Sequence, residues 1–92
     1  MRVICQAIGC AIRLHKPGQV MCPCHWSMLP PNVQAALADS YSRDQWRTKR
    51  YSPHWRVALV IAVNHVGLLE GMMTRDQADE RERIARETHG VY

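Results

Sequence analysis

At 92 residues the chain is read as one domain, short enough that a hydrophobic core alone leaves it marginal. Its longest apolar stretch, Val57 to Val63 continuing through Asn64 and His65 to Leu69, falls well short of the roughly 20 residues of a bilayer span, so a soluble protein with no membrane partner is expected. The net charge of +4 divides unevenly, +6 over residues 1–56 and −2 over residues 57–92, which directs any acidic partner to the first half.

The first 25 residues carry Cys5-x4-Cys10-x11-Cys22-Pro23-Cys24-His25. Thiolate and imidazole donors in two close groups, separated by a loop, are what a tetrahedral structural zinc site requires. Disulfides are the competing use of four cysteines, but the chain opens Met-Arg-Val-Ile-Cys without an apolar signal segment, which favours a reducing compartment and metal. Five donors compete for four positions. Two intervening residues let Cys22 and His25 turn toward one ion better than one residue lets Cys22 and Cys24, so the expected ligands are Cys5, Cys10, Cys22 and His25. Cys24 stands as the alternative fourth ligand, and His15 as a weaker substitute. One structural zinc per chain is the expected cofactor, and its binding free energy, about 10–16 kcal/mol in zinc-finger peptides, adds to folding.

Pro17-Gly18 reverses the chain between the ligand groups, consistent with a turn-dominated knuckle or a short β-hairpin. Pro30-Pro31 opens an amphipathic helix to about Ser42, with Val33, Leu37 and Tyr41 on one face and Trp26 and Met28 as core before it. Ser52-Pro53 caps and starts a second helix whose stripe is Trp55, Leu59, Ala62, Val66 and Leu69. Its β-branched run Val57 to Val63 is also compatible with a strand, but the start signal and the continuation through Leu69 favour helix. Asn64 and His65 within it are expected to be a buried, hydrogen-bonded pair. After a break at Gly71, Thr74-x-x-Gln77 reads as a capping box for a charged helix to about Thr88, stopped by Gly90 and paired at Asp79/Arg83 and Glu82/Arg86. With only Ala78, Ile84 and Ala85 apolar, it reads as a solvated tail helix. Some of Val57, Val60, Ile61, Val63, Met72 and Met73 should then stay exposed and contribute to a homodimer or a partner contact. The fold class is therefore mostly α, a zinc knuckle (1–29) packed on two to three helices, with a helical core (30–71) and a charged C-terminal helix (72–92).

Between the first two helices, residues 41–56 interleave cations with aromatics. Arg43, Trp46, Arg47, Lys49, Arg50 and Arg56 are the candidate partner-binding or nucleic-acid-binding residues, since guanidinium groups neutralise phosphates and aromatic faces stack on bases. No recognition helix of a groove reader is evident. No enzyme is expected: a site with four protein ligands has no open position for substrate, and adjacent Cys24 and His25 lack the mutual geometry of nucleophile and base.

Cys22-Pro-Cys-His25-Trp26-Ser-Met-Leu29-Pro30, preceded by Cys5-x4-Cys10 and followed by the Ala-rich helix and Ser52-Pro53-x-Trp55, resembles a group of small zinc-knuckle accessory proteins encoded by temperate phages and prophages of Gram-negative bacteria. The resemblance covers roughly residues 5–71 and corresponds to the ligands Cys5, Cys10, Cys22 and His25. It implies a protein made in the cytoplasm of an infected bacterial cell, one that binds and inhibits or redirects a host protein or ribonucleoprotein complex, with an anti-CRISPR role as one version. The alternative is a nucleic-acid-binding regulator using residues 41–56.

Overall fold

A computed structural model describes residues 4–14, 19–41 and 51–91. It is mostly helical: α1 (Pro23–Trp26), α2 (Pro31–Ser40), α3 (Pro53–Leu69) and α4 (Arg75–His89) follow a turn-rich N-terminal segment. In that segment a single antiparallel bridge between Ile4 and Arg13 takes the place of a full hairpin among the described residues. Gln6 N donates to Val20 O at 2.9 Å, which holds the first ligand segment beside the chain that leads into α1.

Each helix starts and stops for local reasons. Pro31 and Pro53 occupy first-turn positions where a missing N–H costs nothing. Ser52 caps α3 by accepting from Trp55 N at 3.2 Å, and its hydroxyl donates to Ser40 O at 3.2 Å, so the end of α2 is pinned to the start of α3. α3 stops at a Schellman motif. Gly71 takes φ +70, Met72 N donates to Gly67 O at 2.8 Å and Gly71 N to Leu68 O at 3.3 Å, leaving Glu70 as the C-cap. α4 opens on the expected capping box, with Gln77 N donating to Thr74 Oγ1 at 3.2 Å and Thr74 N to Gln77 Oε1 at 2.9 Å, and closes at Gly90, φ +68.

α3 is the central element and packs against both α2 and α4. One core cluster runs from Cys5, Ala7, Leu14, Val20, Met21 and Cys22 through Leu29, Val33 and Leu37 to Trp55, Ala58, Ala62, Val63 and Val66. The N-terminal segment is therefore part of the core, and Trp26 and Met28 pack against it as expected.

α4 departs from the tail-helix expectation. It folds back along α3 with Ala78 and Ala85 buried, and Asn64 of α3 donates from Nδ2 to Ala78 O at 2.9 Å. Arg81 Nε donates to Asn64 Oδ1 at 2.8 Å, so Asn64 bonds across to α4 and not to His65. Small side chains one heptad apart make a narrow strip along which two helices approach closely, which a count of large apolar residues misses. Of the residues expected to stay exposed, Val57 and Val63 are buried and Val60, Ile61 and Met73 half-buried, while Met72 remains exposed. Gly67 makes room for the side chain of Met73 in the turn before α4, since a Cβ there would lie 2.7 Å from the Met73 methyl. Glu82 pairs with Arg86 at 3.1 Å as expected, but Asp79 pairs with Arg75 at 3.4 Å and Arg83 with Glu80 and Glu87.

Candidate metal centre

Cys22 sits at the N-cap of α1 and His25 one turn on, so the two side chains emerge on the same side of that turn. Cys24, two residues after Cys22, is carried to the opposite side and is exposed. Cys5 and Cys10 arrive on a tight turn in which Cys10 N donates to Ala7 O at 3.1 Å and Gly9 adopts φ +81. The donor atoms of Cys5, Cys10, Cys22 and His25 all lie within 4.8 Å of one another. His25 Nδ1 is 3.2 Å from Cys22 Sγ and 3.5 Å from Cys5 Sγ. Tetrahedral zinc, with Zn–S about 2.3 Å and Zn–N about 2.0–2.1 Å, spaces its ligand atoms about 3.5–3.8 Å apart, so the cluster needs little rearrangement to close on one ion. These four residues can hold a metal ion, and Cys24 is not among them.

The two buried thiols of the cluster are shifted in opposite directions. Burial pushes the Cys5 thiol up to about 11, against the opposing pull of backbone N–H groups of Cys22 and Ala7. Cys22 moves the other way, to about 7, chiefly because the His25 backbone N–H favours its thiolate. Burial alone would lower the His25 imidazole, but the hydrogen bond to Glu70 and the Cys22 sulfur outweigh it and raise its pKa. Both Glu70 oxygens lie 3.2 Å from His25 Nε2, on the ring edge opposite the sulfurs. Sequence reasoning missed Glu70 because it stands 45 residues from His25, and only the fold joins them.

The second candidate surface is partly in view. Arg43, Trp46, Arg47, Lys49 and Arg50 lie outside the described residues, as does His15. Arg56 is exposed on α3, with its guanidinium 6.0 Å from the Tyr51 ring. Tyr51 and Trp55 stack on each other with centroids 4.4 Å apart, and Trp55 is buried, so that tryptophan face is already taken. No helix of the described residues is long and apolar enough to cross a membrane.

A separate groove of about 530 Å³ is lined by apolar Ile8, Met72 and Met73 and by polar Asp76, Gln77, Glu80 and Arg81. Ile8 belongs to the turn between Cys5 and Cys10, so one wall of this groove is built by the ligand loop.

Comparison with protein-family models, curated proteins and solved structures found no match to this chain.

Proposed function

We propose that this protein is a zinc-stapled helical interaction module that acts by binding another protein. The observation that carries the reading is the convergence of Cys5, Cys10, Cys22 and His25 within 4.8 Å. Four protein donors fill a tetrahedral ion, which suits a structural role and leaves no position for Lewis-acid chemistry. Three sulfurs and one imidazole favour zinc among the common divalent metals. Exposed Met72, Leu69 and Ile84, together with the groove that Met72 and Met73 help to line, support a protein contact, because flexible thioethers adapt to varied apolar partners. The resemblance to phage zinc-knuckle proteins adds a setting: the partner is a host protein or ribonucleoprotein complex in an infected bacterium, which the module inhibits or redirects, as an anti-CRISPR protein would.

The test is affinity capture from nuclease-treated bacterial lysate by the zinc-loaded chain, with Cys10→Ser as the specificity control. One complex retained by the wild type and lost by Cys10→Ser supports the reading. The alternative, a nucleic-acid-binding regulator, draws on the exposed Arg56 and on the basic composition of residues 41–56. It requires binding to DNA or RNA whose affinity falls steeply with salt and is weakened by charge reversal at Arg43, Arg47 and Arg50. That result, with no protein captured, would replace the leading reading.

A further inference from the structure

Glu70 is in the wrong place for helix stability. As the C-cap of α3 it sets a carboxylate against the negative end of the helix macrodipole, where a cation is favoured. Several features fix it there nonetheless. The Schellman motif built on Gly71 holds the backbone on either side of it, and its two oxygens straddle His25 Nε2 at 3.2 Å each. The opposite ring nitrogen, Nδ1, faces the sulfurs of Cys22 and Cys5.

We infer that Glu70 is the positioning residue of the metal centre, holding His25 with its proton on Nε2 and its Nδ1 lone pair aimed at the ion. The inference rests on the reading of the cluster as a metal site. An imidazole has two nitrogens, and only the one without a proton can ligate. A carboxylate accepting from Nε2–H decides the tautomer, stops the ring from turning, and makes the ligating nitrogen more basic. Because Glu70 belongs to α3, the same contact joins the metal centre to the central helix. Metal binding then steadies the carboxylate, and with it the end of α3, in addition to closing the N-terminal turn.

The experiment uses the full chain and Co²⁺ as probe, comparing wild type, Glu70→Ala and Glu70→Gln, with Glu87→Gln as a surface control. All four proteins are expected to bind one Co²⁺ with tetrahedral ligand-field bands. Glu70→Ala is expected to hold it about 10–100-fold more weakly, the usual effect of losing an outer hydrogen-bond partner. Glu70→Gln, whose amide oxygen still accepts from Nε2–H, is expected to recover part of that loss, and Glu87→Gln to match wild type. Urea unfolding of the chelated proteins completes the set: Glu70→Ala is expected to lose far less stability without metal than with it. A wild type that takes up no Co²⁺ overturns the metal site and this inference together. Equal affinities in wild type and Glu70→Ala overturn the inference alone, as does a Glu70→Ala defect of the same size with and without metal, which would make the contact simply structural.

Discussion

Cys22 and Cys24 flank the same proline, yet only one turns inward, and the reason is the single helical turn that Pro23 begins. Side chains three apart share a side of the turn, and those two apart do not. Cys24→Ser is therefore expected to retain one metal per chain, while Cys22→Ser loses it; loss in the first and retention in the second would reverse the assignment. Proton competition follows from the same residues. With the Cys5 thiol near 11 in the absence of metal, binding must displace its proton throughout the neutral range, so affinity should rise with pH by at least about tenfold per pH unit. Below about 7, where Cys22 also takes up its proton, the dependence should steepen. Metal titrations at several pH values check this, and an affinity independent of pH would exclude thiol ligation. The cluster of Cys5, Cys10, Cys22 and His25 was legible in the sequence because its members come as two locally spaced pairs. The partners of Asn64 were not, since Ala78 and Arg81 lie across a helix interface. Asn64→Ala removes two hydrogen bonds across the α3–α4 contact, one of them from the Arg81 guanidinium, and is expected to destabilise the fold by about 1–3 kcal/mol in urea unfolding.

Among the elements, α4 carries the main lesson. Its caps were readable at both ends, and Thr74 and Gly90 stand where the sequence put them. Its docking was hidden, because the side chains it buries are the small Ala78 and Ala85, and the exposed Arg81 reaches Asn64 from beside them, so no stripe of large apolar residues marks the face. The exposed ion pairs along its outer face contribute little, typically under about 1 kcal/mol each. Packing on α3 is what gives the helix its place. Thr74→Ala removes the Oγ1 that accepts from Gln77 N, while its own backbone N–H can still donate to Gln77 Oε1, and is expected to cost about 1 kcal/mol. Ala78→Glu, which forces a carboxylate into the α3–α4 contact, is expected to be far more damaging. Circular dichroism melts that leave Ala78→Glu equal to wild type would restore the solvated-tail reading of α4.

At the scale of the whole molecule, the N-terminal segment and the helices share one core, with Cys5 and Cys22 as buried as Val63 and Val66 of α3. Metal removal should therefore do more than loosen the first 25 residues: it should also lower the melting temperature of the helices. The central claim, a structural zinc held by three thiolates and one imidazole, is tested most directly by elemental analysis combined with thiol counting on the full chain purified without added metal. The account predicts one zinc per chain and one accessible thiol, Cys24, in the native protein, rising to all four cysteines once a chelator and denaturant are added. A folded, metal-free chain with its cysteines joined in two disulfides would contradict it.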